Sequence, residues 1–111
     1  MFTIVMYRKP NGEIPVQQHI DKLESRLQIK VLANIERLKI MGNRLREPYT
    51  KPLDDGIFEL RTSFAGEEER VLFFFVHEKK IVLTHGFIKK TQKTPAGEIR
   101  KAKEYRSDYM G

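Results

Sequence analysis

The sequence predicts an α+β fold of two layers, helices packed on one antiparallel sheet. Three observations predict it. Residues 57–64, 70–76 and 80–87 are consecutive runs rich in Phe, Val, Ile and Leu, separated by the short polar turns AGEE and HEKK. Runs of this kind at this spacing read as an antiparallel meander joined by hairpins. Upstream, Leu27, Val31, Ile35 and Leu38 recur with helical period. A single β-rich run over residues 2–7 stands apart from the others and needs a sheet to join. At 111 residues, 40% hydrophobic and 32% charged, the chain reads as a single domain over residues 1–111, with one modest core.

Each element has its own signal. The strand at residues 2–7 stops at Lys9-Pro10-Asn11-Gly12, a turn sequence. Pro15 suits the first position of a helix, and Val16, Ile20 and Leu23 follow at helical spacing. Ser25 and Gln28 fit a capping box and predict a second helix from that point. Ile29, Leu32 and Ile40 widen its stripe, and Gly42 stands where a C-terminal cap belongs. The two helices read as an antiparallel hairpin or one bent helix. Residues 43–56 hold Pro48, Pro52 and Asp55-Gly56 and read as a loop. Past the meander, Thr94-Pro95 opens a last helix reaching to about Ser107. Its stripe of Ile99, Ala102 and Tyr105 or Arg106, extended by Tyr109, is weak, so it packs loosely or needs a partner.

The net charge of +6 and pI near 9.7 fit a polyanionic partner. There is no cysteine, which excludes disulfides and thiolate metal sites, and no histidine pair has the spacing of a zinc helix. No apolar run approaches the ~20 residues of a membrane span. The first residues lack the basic region and cleavage site of a signal peptide. The expectation is a cytoplasmic protein that uses no membrane, metal or cofactor.

Arg61 and Arg70 stand inside apolar strands, and a charge there must be paired or face water. One hairpin register sets them opposite each other, where like charges need an anion between them. Phosphate fits, because guanidinium grips it with parallel hydrogen bonds. Alternatively each arginine pairs with Glu59 or with Glu67, Glu68 or Glu69. Lys89, Lys90 and Lys93 follow the last strand and would extend a phosphate-contacting rim, or form a solvated loop. His85, near the end of that strand, reads as a general acid or base or as a satisfied core histidine.

The segments KPLDDGIFELR, RVLFFF and IVLTHGFIKKTQKTPAGEI resemble the RelE/HigB superfamily of toxins, in its phage-derived, HigB-like branch, over about residues 49–106. The resemblance implies a RelE-like, microbial-ribonuclease-type fold: an N-terminal strand and two-helix hairpin packed on an antiparallel sheet, with a C-terminal helix. It implies the toxin of a type II toxin–antitoxin pair, a metal-independent endoribonuclease that cuts mRNA in the 70S ribosome A site. The products would be a 2′,3′-cyclic phosphate and a 5′-hydroxyl. The partner would be a HigA-like helix-turn-helix antitoxin whose complex binds operator DNA. By position, Arg70 matches the arginine on the scissile phosphate, Arg61 a basic residue of the preceding strand, and Lys89 and Lys90 the basic position after the last strand. His85 by location, and Tyr105 and Tyr109 by type, are candidates for the family's C-terminal catalytic histidine or tyrosine. Arg46, Tyr49, Lys51 and Lys93 are expected to bind RNA. Two other readings are a non-catalytic RNA- or ribosome-binding module on the same fold, and a phage structural or regulatory protein with an acidic partner.

Overall fold

The computed structural model describes all 111 residues. Its elements are β1 (Thr3–Met6), α1 (Pro15–Asp21), α2 (Ser25–Met41), a 3-10 turn (Gly42–Arg44), β2 (Thr50–Asp54), β3 (Ile57–Phe64), β4 (Glu67–Val76), β5 (Lys80–Ile88) and α3 (Ala96–Met110). The five strands form one sheet in the order β1-β5-β4-β3-β2. All neighbours are antiparallel except β1, which runs parallel to β5. The α+β class and the meander are as the sequence predicts.

Three expectations need correction. Residues 50–54, read as loop, form the edge strand β2, with Thr50 opposite Leu60 and Lys51 opposite Glu59. Pro52 hides this strand in the sequence, yet an edge tolerates a residue with no ladder donor. The capping box does not form, and the cap lies one residue earlier. Glu24 caps α2, its carboxylate accepting from the Arg26 and Leu27 amides at 3.0 and 3.1 Å. A carboxylate there also meets the positive end of the helix dipole. Gln28 instead donates to the Ile20 carbonyl at 2.8 Å, tying α2 to the end of α1.

The third correction is the number of layers. Strand alternation splits the core between two faces. Leu60, Val71, Phe73, Ile81 and Leu83 pack against Val16, Ile20, Leu27, Val31 and Leu38 of α1 and α2. Ile57, Leu72, Phe74 and Val82 pack with Tyr7 and with Ala102 of α3, on the opposite face. The last helix is therefore a third layer, and it runs one turn longer than its weak stripe predicts. Its docking relies on few apolar groups. Tyr105 stacks on Tyr7 at 4.7 Å, and the Tyr7 hydroxyl donates to Asp108 at 2.6 Å. Lys103 and Arg106 pair with Asp54 at the end of β2 and Asp55 in the turn that follows. Exposed pairs of that kind are screened by solvent and contribute little each, so α3 is held by many small terms rather than by one deep stripe.

Two glycines are fixed by close approach. Gly42 has φ +56 and lies against the ring of Phe2, leaving no room for a Cβ. Gly86 on β5 gives way to the His19 ring from α1, which reaches Glu69 on β4 at 2.7 Å. Burial pushes the Glu69 carboxyl above its ordinary pKa, with His19 opposing the shift. No helix is long and apolar enough to cross a membrane.

Candidate functional site

The hairpin between β3 and β4 sets Arg61 directly opposite Arg70. Its turn, Ala65-Gly66, holds both residues at positive φ, +52 and +83. That geometry matches the natural strand twist and fixes the register. Period-two alternation then puts Glu59 on the same face as Arg61. One Glu59 carboxylate oxygen lies 3.6 Å from the Nε of each arginine. The other accepts a hydrogen bond from the Thr94 hydroxyl, just before α3. The anion between the opposed arginines is thus the protein's own carboxylate, and it is buried.

The two arginines are not equivalent. Arg61 is about one-third exposed, with Glu47 at 3.7 Å. Arg70 is only 1% exposed. Its Nη1 donates to the Glu69 carbonyl at 2.8 Å and its Nη2 to Glu68 at 3.3 Å, while its Nε has no hydrogen-bond acceptor. The Ser63 hydroxyl, and after it Arg70, hold the Glu68 carboxyl below the usual carboxylate range. Arg61 opens on a groove of about 270 Å³ lined by Lys51, Glu59, Lys89, Lys93 and Thr94 among others. Arg70 lies behind that surface.

The groove thus gathers Arg61, Lys51, Lys89 and Lys93 of the expected residues. It leaves out the rest. Lys90 is exposed and is not part of the lining. Arg46 lines a hollow with Phe58, Phe73 and Phe75, residues of the sheet face that carries α1 and α2. Tyr49 lines an adjoining cleft that shares Arg61. His85 is buried, with Nε2 at 3.0 Å from Glu98 and Nδ1 at 3.0 Å from the Thr84 hydroxyl, and it lines no part of the groove. Tyr105 is engaged by Tyr7, and Tyr109 packs on Phe74.

Burial pushes the His85 pKa below its ordinary 6.5, with Glu98 opposing the shift and Lys101 and His19 adding to it. For a depressed folded pKa, the stabilising contribution is present above the unfolded value. It is lost as pH falls through the folded one. The urea midpoint is therefore expected to drop between pH 7 and pH 5, and His85→Gln to reduce that drop. An unchanged pH dependence in the variant would refute the assignment.

Glu59 and Thr94 were not singled out from the sequence as site residues. The signal was present for Glu59, since the i, i+2 spacing to Arg61 puts both on one face of a strand. Nothing local marks Thr94, whose role depends on where the last helix docks.

The family model described as phage-derived protein Gp49-like (DUF891) matches residues 18–107. The chain belongs to that family. It is a toxin-like family of the RelE/HigB type. The match starts inside α1 and runs nearly to the end of α3, so both arginines, Glu59 and the whole groove lie within the Gp49-like region. No curated protein matches the chain.

Proposed function

We propose that this Gp49-like chain is a HigB-like toxin of a type II toxin–antitoxin pair, an endoribonuclease acting on mRNA in the ribosomal A site. The observation that carries this reading is the carboxylate held between two opposed arginines at the back of a basic groove. Cleavage of RNA by its own 2′-hydroxyl needs a proton acceptor, cations for the developing phosphorane charge and a proton for the leaving oxygen. Glu59 is the acceptor. It takes the 2′-hydroxyl proton as the 2′-oxygen bonds to phosphorus. Arg61 meets the non-bridging oxygens, and Arg70 adds positive potential from behind without touching the substrate. Preorganised cations of this kind are often the largest single catalytic contribution. The phosphorus–O5′ bond breaks, and the departing oxygen takes a proton from the Lys89 ammonium. The products are a 2′,3′-cyclic phosphate and a 5′-hydroxyl. Thr94, through its hydrogen bond to Glu59, is a positioning residue. The ribosome aligns the substrate, which supplies the orientation a shallow groove lacks. A helix-turn-helix antitoxin restrains the toxin.

The test is expression from a repressed promoter with mapping of mRNA 5′ ends by primer extension, beside Arg61→Ala. New ends within translated codons, absent in the variant, are expected. Growth arrest without new ends would replace the nuclease by a translation-binding inhibitor. With neither arrest nor new ends, the toxin reading itself would fail.

A further inference from the structure

We propose that a second cleft beside the groove, between α2 and the uncovered end of β3, is a nucleotide subsite for single-stranded RNA, with the Arg37–Tyr49 pair as its stacking platform. The inference rests on the RNA-binding part of the reading above and adds where a neighbouring nucleotide lies.

The cleft measures about 420 Å³, enough for one nucleotide. Lys30, Asn34, Arg37, Tyr49, Arg61 and Ser63 are among its lining, which includes three cations and no carboxylate. It exists because β2 pairs with β3 only as far as Leu60. Tyr49 precedes that strand, its carbonyl accepting from the Arg61 amide at 2.8 Å. The edge of β3 at Thr62 and Ser63 is left facing α2.

The platform is held in place before any ligand arrives. The Arg37 guanidinium lies over the Tyr49 ring, 4.2 Å from its centroid. Its Nη1 donates to the Asn34 Oδ1 at 2.6 Å. The Asn34 amide in turn donates to the Thr62 hydroxyl at 2.8 Å and to the Arg61 carbonyl at 3.3 Å. This chain of hydrogen bonds runs from a largely buried asparagine outward to an exposed aromatic ring. A stacked cation and ring suit a nucleobase, which has a π-face to offer either one. Lys30 and Arg61 then stand ready for the attached phosphates. Arg61 lines both this cleft and the groove with Glu59, so a strand whose scissile phosphate sits at Arg61 continues into the cleft without leaving the protein surface.

An acidic protein segment is the competing occupant, and the experiment separates the two. Fluorescence anisotropy of the full chain would use a 2′-deoxy-blocked hexanucleotide and a blocked dinucleotide, with cleavage of mRNA on programmed ribosomes read in parallel. Tyr49→Ala is expected to weaken the hexanucleotide about tenfold, in line with one lost base stack. Tyr49→Phe should keep the affinity, and the dinucleotide, too short to fill both sites, should be indifferent to either change. The subsite is overturned by equal hexanucleotide affinity in Tyr49→Ala, or by an acidic peptide that displaces the oligonucleotide and depends more strongly on Tyr49. Loss of the catalytic reading looks different: no cleavage by the unaltered chain, with the Tyr49 effect on binding intact.

Discussion

The Glu59→Gln protein is expected to cleave RNA about a thousandfold more slowly than the unaltered chain, within the range for loss of a positioned general base, and to bind RNA at least as tightly. The amide keeps the shape of the side chain and can still accept from Thr94. It cannot take a proton at working pH. It also withdraws a negative charge from between Arg61 and Arg70, so the groove becomes a stronger phosphate site. A purely structural Glu59 would behave otherwise. The two arginines would then repel without their anion, and activity would fall only in proportion to the folded fraction. Phosphate would restore both. Single-turnover cleavage of mRNA on programmed ribosomes, read with unfolding curves of the same samples, separates the cases. A rate within threefold of the unaltered chain in fully folded Glu59→Gln would remove Glu59 from the chemistry.

Much of the fold was legible because its signals are local. The meander shows in alternation and turn chemistry, and α2 in a stripe of four residues whose spacing fits no strand. What escaped depended on tertiary context. β2 carries a proline and little apolar surface, so only its partner makes it a strand. The third layer was hidden because α3 docks through Tyr7, Ala102 and ion pairs to a distant turn. The site divides in the same way. Arg61 and Arg70 stand out as charges where strand patterning wants apolar groups. The sequence left open whether phosphate or a carboxylate lies between them, and the structure puts Glu59 there. The sequence left His85 as either a general acid or base or a satisfied core histidine, because location along a strand says nothing about depth, and the structure buries it with both ring nitrogens engaged by Thr84 and Glu98.

Arg70→Met is expected to cost about 3 kcal/mol of stability, whereas Arg61→Ala costs less than about 1 kcal/mol. The difference follows from exposure. Arg70 is sealed among Glu59, Glu68 and the Glu69 carbonyl, so its removal leaves a buried carboxylate with less compensation. Arg61 keeps its surroundings wet. In a small domain whose whole stability is about 5–15 kcal/mol, the first change lowers the urea midpoint visibly, with the slope unchanged. The double variant Glu59→Gln with Arg70→Met should recover part of the loss, because it removes the unpaired charge along with its partner. This separates two roles that activity alone would merge. If Arg70 chiefly gripped the scissile phosphate, as the family resemblance implies, the free protein would hold it loosely. Arg70→Met would then leave the midpoint nearly unmoved while abolishing cleavage. A large stability loss that the second substitution relieves instead makes Arg70 the buried counter-charge that holds the Glu59 carboxylate in place, with Arg61 as the arginine that meets the RNA.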